Sequence, residues 1–183
     1  PAIVNADSYA IEGAAEAEST ITITGGFATA TGTATGGNFS VQVNLTQDAT
    51  NTLLVTATDA SNNTSVASEV VIVEDSTEPT ITILGNNPET IEVGSAYIDA
   101  GAEAQDSVAG DLTLSITTSS NVNTAVLGEY AVTYNVSDTA GNLASSSRIV
   151  NVVDTTAPIL TLTGSSTITI EVGSTYVDAG APA

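Results

Sequence analysis

Short runs of alternating apolar and polar residues recur along the whole chain, and none of them carries a helical period. Thr20-Ile-Thr-Ile-Thr24, Leu53-Leu-Val-Thr-Ala-Thr58 and Ser68-Glu-Val-Val-Ile-Val73 are rich in β-branched side chains and are bounded by Gly, Asn, Asp or Pro. Further along, the same pattern predicts strands over Thr80–Leu84, Leu112–Ile116, Tyr130–Val136 and Arg148–Val153. Period-two alternation turns one face of each strand inward and leaves the other wet. The whole chain therefore reads as all-β, built from antiparallel sheets that pack one apolar face against another.

The chain also repeats itself. Asp59-Ala-Ser-Asn-Asn63 matches Asp138-Thr-Ala-Gly-Asn142, and Asp75-Ser-Thr-Glu-Pro79 matches Asp154-Thr-Thr-Ala-Pro158. Ile91-Glu-Val-Gly-Ser95 likewise returns as Ile170-Glu-Val-Gly-Ser174, and all three pairs are 79 residues apart. One offset shared by three separate segments marks tandem domains. The boundaries fall at 1–77 for a first unit, 78–156 for a second and 157–183 for the start of a third. About seven short strands in a period of roughly 79 residues predict a β-sandwich in each unit. A parallel β-helix is the rival all-β architecture, but its coils are far shorter than this period.

Composition then narrows the chemistry. The 183 residues contain no Cys, His, Met or Trp, and one cationic side chain, Arg148, against 21 carboxylates, for a net charge of −20. Without His, Cys or Lys the chain has no base titrating near neutrality, no thiolate and no Schiff-base amine. A carboxylate pair such as Asp106 and Asp111 is the only constellation open to hydrolysis of a glycosidic bond, and no aromatic platform accompanies it. The reading is a protein that is not an enzyme. Nucleic acid and anionic membrane surfaces are excluded as partners because both are bound through Lys and Arg. No apolar run approaches ~18 residues, the length of a spanning helix. The first residues lack the basic start and apolar core of a secretion signal, so the chain is expected to begin inside a mature protein. What the composition does favour is hard divalent cations, which take oxygen ligands.

The second unit carries a family likeness. Ile91-Glu-Val-Gly-Ser95, Tyr97-Ile-Asp-Ala-Gly101, Gly128-Glu-Tyr130, Asp138-Thr-Ala-Gly-Asn142 and Asp154-Thr-Thr-Ala-Pro158 resemble the Ig-like repeats of bacterial surface proteins. The first unit, through Ala15–Thr24, Gly37-Asn-Phe-Ser40 and Asn51–Ala60, is similar to the bacterial Ig-like modules of large adhesins. It departs from the pattern in having Asn62 where Gly is usual. The resemblance implies tandem Ig-like β-sandwiches in an extracellular stalk or spacer at the bacterial cell surface, with calcium at the joints and neighbouring repeats as partners.

The topology of such a sandwich brings particular acids together. A first joint is expected to gather Glu16 or Glu18, Asp75 and Glu78 from the first unit and linker, with Asp138 and Asn142 from the second. A second joint is expected to hold Asp106, Asp111 and Asp154, while Asp59 and Asn63 face upstream. Asp-x-x-Gly-Asn is also ordinary turn chemistry, which explains the glycine but not an Asp at both linkers. Two alternatives have their own signals. The apolar Ile159, Leu160, Leu162, Ile168 and Ile170 of the third unit suit strand addition to another copy, which would build a filament. The series Thr20, Thr22, Thr24 and Thr29, Thr31, Thr33, Thr35 are similar to Thr-x-Thr ladders of ice-binding proteins, and recognition of a glycan or protein is the related option.

Overall fold

A computed structural model describes residues 1–181. The first sandwich has seven strands: β1 (Ala2–Val4), β2 (Ser8–Ala14), β3 (Thr20–Thr24), β4 (Ala30–Thr33), β5 (Asn38–Asn44), β6 (Ala49–Thr58) and β7 (Ser68–Glu74). A five-stranded sheet in the order β1-β7-β6-β3-β4 faces the antiparallel pair β2–β5. Alternation decides what lies between them. Ile21, Ile23, Leu53 and Ile72 from the larger sheet meet Ile11, Val41 and Val43 from the pair, all buried. Each such side chain contributes roughly 1.5–3 kcal/mol by leaving water. The intervening threonines point outward and fall into register, with Thr33, Thr20 and Thr58 in one row and Thr31, Thr22 and Thr56 in the next. Thr on the solvated face of a strand is the placement that β-propensity favours.

The second sandwich also has seven strands: β8 (Thr80–Ile83), β9 (Glu89–Glu92), β10 (Ala102–Asp106), β11 (Gly110–Asp111), β12 (Thr117–Ser120), β13 (Gly128–Ser137) and β14 (Leu143–Val153). They form sheets β11-β10-β8 and β12-β13-β14-β9. In both units the last strand pairs in parallel with a short early strand, β7 with β1 and β14 with β9. The early segment of unit two is thus split, with β8 in one sheet and β9 in the other. Both pieces run away from the start of the unit, and β10, antiparallel to β8, runs back toward it, so that Gln105 lies opposite Thr80.

The second core is smaller, and the one cation completes it. Val132, Tyr134 and Val150 are buried, with Ile81, Ile83, Ile91 and Tyr97 packed around them. Arg148 is only 2% exposed. One guanidinium nitrogen pairs with Asp99 at 3.2 Å, and another donates to the carbonyls of Leu84 and Gly101. The same Asp99 oxygen accepts the hydroxyls of Tyr134 at 2.6 Å and Tyr97 at 3.1 Å. Burial, reinforced by these bonds to a carboxylate, pushes both phenols above their ordinary pKa. The network ties the crossing segment between β9 and β10 to the centre of β14.

One strand expected from the sequence is absent. Leu112–Ile116 forms no strand but a 3₁₀ turn over Thr113–Ser115, with Leu114 fully exposed. Local polar bonds override the apolar alternation: Asp111 accepts the Thr113 amide at 2.9 Å, and the Thr113 hydroxyl accepts the Ala104 amide at 3.2 Å. The third unit expected over 157–183 shows no strand through residue 181, and its last two residues lie outside the described residues. Ile159, Leu160, Leu162, Ile168 and Ile170 are all exposed in this segment.

Removing Arg148 leaves Asp99 without its counter-charge, but Asp99 is partly exposed and keeps two tyrosine hydroxyl bonds, so the cost is about 1–3 kcal/mol. Arg148→Met is expected to lower the urea midpoint of the second sandwich by that order. Tyrosine fluorescence checks it, since Tyr97, Tyr130 and Tyr134 all belong to that unit.

Candidate metal centre

Strand β7 of the first sandwich ends at the joint, and Asp75 follows it directly. The Asp75 amide donates to the carbonyl of Val4 at 2.9 Å, which extends the β1–β7 ladder by one residue and fixes the aspartate backbone. Two loops of the second sandwich reach the same place. Asp106 closes β10, and Asp138 opens the turn between β13 and β14. Carboxylate oxygens of Asp75, Asp106 and Asp138 lie within 4.8 Å of one another.

The turn around Asp138 is a self-contained device. One carboxylate oxygen accepts the amides of Gly141 at 2.7 Å and Asn142 at 2.9 Å, while the other accepts the Asn142 side-chain amide at 2.7 Å. Gly141 takes a φ of +97°, the left-handed region where a Cβ is penalised. The Asn142 side-chain amide also donates to the Asp75 carbonyl at 3.0 Å, and its oxygen accepts the side-chain amide of Asn5. A single asparagine thus bonds to both sandwiches. In the first unit Asp59 and Asn63 build the same turn, with Asp59 accepting the amides of Ser61 and Asn63 and the Asn63 side chain, each at 2.8 Å. Asn62 adopts a φ of +66° in the place of Gly141, a conformation that Asn tolerates better than most residues. The side-chain bond from Asn63, followed by the backbone bonds, holds the Asp59 carboxyl below its usual pKa.

Electrostatically the centre is unbalanced. Asp75 is 0% exposed, and neither of its carboxylate oxygens has a hydrogen-bond partner. One oxygen of Asp106 is buried and unpartnered as well, although the other accepts the amides of Val108 and Ala109. Burial, with the charges of Asp106 and Asp138 next, pushes the Asp75 carboxyl up to about 6. Arg148 is committed to Asp99 and brings no compensation. A buried carboxylate in this position is neutralised by a proton or by a cation. The donor set is oxygen throughout, with no nitrogen or sulfur, and three carboxylates offer three to six of the six to eight oxygens that calcium takes. These residues fit a hard divalent cation.

The structure places the residues expected at the joints as follows. Asp75, Asp138 and Asn142 converge at the first joint. Asp106 belongs with them, which corrects its assignment to the second joint; β10 runs antiparallel to β8 and so returns to the start of its unit. Asp111 also lies at this end, but its carboxylate is turned to the Thr113 amide. Glu16 and Glu18 are corrected too. Thr20 pairs with Thr58, so the loop from β2 to β3 lies at the upstream end beside the Asp59–Asn63 turn, opposite Asp75. Glu78 is exposed in the linker, outside the three-carboxylate group. Asp154 is exposed beyond β14, where it accepts the amide of Thr156 at 3.1 Å.

Two linker clamps are not among the residues expected from the sequence. Asp48 accepts the amides of Ser76 and Thr77 and the Thr77 hydroxyl, and Glu92 does the same for Thr155 and Thr156. The hydroxyl bonds from Thr155 and Thr156 hold the Glu92 carboxyl down at about 2. Glu92 was findable, since Glu-Val-Gly-Ser recurs at Glu171. Asp48 has no counterpart at the repeat distance. Asn5 is the third omission, in the short loop Asn5-Ala6-Asp7 between β1 and β2.

Comparison with known proteins agrees with this architecture. Residues 1–75 match the bacterial Ig domain family, and residues 81–152 match the Ig-like domain of bacterial surface proteins. Each sandwich is thus a bacterial Ig-like domain, and the two are of different families. No curated protein matches it. Among solved structures, a lipoprotein from Bacteroides thetaiotaomicron is 25% identical over 44% of this chain and 40% of its own, with a TM-score of 0.38. A structure of the M60 catalytic domain with CBM51-1 and CBM51-2 from Clostridium perfringens ZmpB is 26% identical over 80% of this chain and 15% of its own, with a TM-score of 0.31. The fibronectin(III)-like modules of Clostridium thermocellum CbhA are 12% identical over 82% of this chain and 88% of their own, with a TM-score of 0.32. The chain spans less than half the length of the first two.

The raised pKa of Asp75 gives metal-free protein a signed pH dependence. An acid whose folded pKa is about 6 against 3.8 unfolded disfavours the folded state increasingly as pH rises from about 4 to 6. In chelator, the thermal midpoint of wild type is expected to rise by a few degrees as pH falls from 7 to 5, and Asp75→Asn is expected to flatten that rise. Differential scanning calorimetry across this window checks both.

Proposed function

We propose that this chain is a non-catalytic spacer segment of a bacterial cell-surface or secreted protein, and that calcium bound by Asp75, Asp106 and Asp138 stiffens the joint between its two Ig-like sandwiches. One observation carries the reading: the fully buried Asp75 carboxylate, unpartnered on both oxygens, faces two further carboxylates from the neighbouring domain. Without a cation, these charges repel across the joint and loosen it. With one, the same side chains become a bridge, because each sandwich contributes ligands to a shared ion.

The families matched are domains of bacterial surface proteins, typically non-catalytic, and among the described residues no helix is long and apolar enough to cross a membrane. The surface setting also supplies the ion. At calcium of ~1–10 mM and a dissociation constant of ~10⁻⁴–10⁻³ M, one site adds roughly 0.4–2.7 kcal/mol to folded-state stability by mass action. The effect is modest at one joint and accumulates along a series of them.

Isothermal titration calorimetry and small-angle scattering test the proposal directly. Calcium is expected to bind with one site per joint, magnesium far more weakly, and the scattering profile is expected to change from flexibly linked to extended. Asp106→Asn keeps the acceptor for the Val108 and Ala109 amides while removing a charge, and is expected to weaken calcium binding about tenfold or more. Superimposable profiles with calcium and with chelator would overturn the stiffening, and unchanged affinity in Asp106→Asn would overturn the ligand set.

A further inference from the structure

Strand β1 is the weakest-held element of the first sandwich. It has three residues, of which Ala2 and Ile3 are exposed and only Val4 packs against the core. Its partner strand is β7 alone, in parallel register from Ala2 opposite Ile72 to Val4 opposite Glu74. A strand of this length with little apolar burial opens readily on its own. Yet it is also the first part of the domain to feel tension on the chain, because it lies at the N-terminus and runs parallel to the strand that leaves toward the second sandwich.

The residue after β1 is Asn5, and its side-chain amide donates to the side-chain oxygen of Asn142 in the second sandwich. Asn142 is itself rigid. Its backbone and side-chain nitrogens are held by Asp138, and its side-chain amide spans to the Asp75 carbonyl. The Asp75 amide closes the circuit by donating to Val4. The end of β1 is therefore fastened from both sides, through Val4 to Asp75 and through Asn5 to Asn142.

We propose that the Asn142 turn is a strand lock for the preceding domain: by holding Asn5 it keeps β1 on β7, so that the first sandwich opens at its N-terminal strand only after the joint has opened. The lock gives tension at the N-terminus a direct route into the second sandwich through the Asn5–Asn142 contact, in parallel with the β1–β7 ladder. Its dependence on calcium rests on the metal reading above, because Asp75 and Asp138 would be shared by the ion and the lock. The lock itself rests on the hydrogen bonds alone.

Hydrogen exchange on the whole chain, read by mass spectrometry with and without calcium, tests this. Asn5 is exposed and makes no core contact, so Asn5→Ala is expected to fold normally. Loss of one hydrogen bond is expected to speed exchange of the β1 amides and of the Asp75 amide roughly fivefold, with β3 and β6 unchanged. Asn142→Ala is expected to give the same local acceleration. Wild-type exchange of β1 in Asn5→Ala would overturn the lock, as would acceleration spread evenly over the first sandwich. Calorimetry on the same samples separates the two readings. If calcium binds and β1 exchange ignores it, the coupling fails while the metal site stands. If calcium does not bind, the metal reading fails and the comparison of Asn5→Ala with wild type decides the lock alone.

Discussion

Everything at the joint follows from the position of one carboxylate. Asp75 comes directly after a ladder strand, its amide is fixed by Val4, and its side chain is enclosed with no hydrogen-bond donor in reach. Two more carboxylates from the next domain face it. Ordinary folds avoid this arrangement, since an unpaired buried charge is among the costlier features a protein can hold. Between two sandwiches, it places three carboxylates where burial and mutual repulsion both favour neutralisation. Protonation and cation binding both relieve the same repulsion, but only a cation does so by bridging the two domains.

The rest of the charge distribution sharpens that asymmetry. The single cationic side chain is buried inside the second sandwich, where it completes a core too small to close with apolar residues alone. With Arg148 occupied by Asp99, no counter-charge is left for the joint. Several acids are instead held by bonds close to them in space. Asp48 and Glu92 each capture two consecutive residues of a linker, and Asp59 and Asp138 each hold an asparagine four residues on. Of these, Asp48 and Asp138 lie at the joint, where one fixes the linker after Asp75 and the other the turn that faces it.

The same turn serves two surroundings. Asp59–Asn63 and Asp138–Asn142 share the bonds from the Asn backbone and side-chain amides to the Asp carboxylate, yet Asn63 stays in solvent while Asn142 contacts Asn5 and Asp75 of the neighbouring domain. Turn chemistry and joint chemistry are thus successive uses of one motif. The local fold forms from Asp, Asn and a residue tolerant of positive φ. What the turn then touches depends on which domain arrives beside it.

Alternation of β-branched and polar residues by itself determined the all-β class, because it reflects interactions between near neighbours in the sequence, and the 79-residue offset pointed to tandem units through recurring segments. It also marked Asp75, Asp138 and Asn142 through their repetition. The side of the sandwich on which each loop emerges was decided only by tertiary structure. In both units the strand that follows the entry strand runs back toward the start of the unit, which brings Asp106 at the end of β10 to the first joint and the Glu16–Glu18 loop after β2 to the upstream end. Leu112–Ile116 lost its strand for a related reason, since two hydrogen bonds from Asp111 and Thr113 outweigh an alternation that buries little. Strand direction and sheet assignment depend on pairings between distant residues, and no local pattern encodes them.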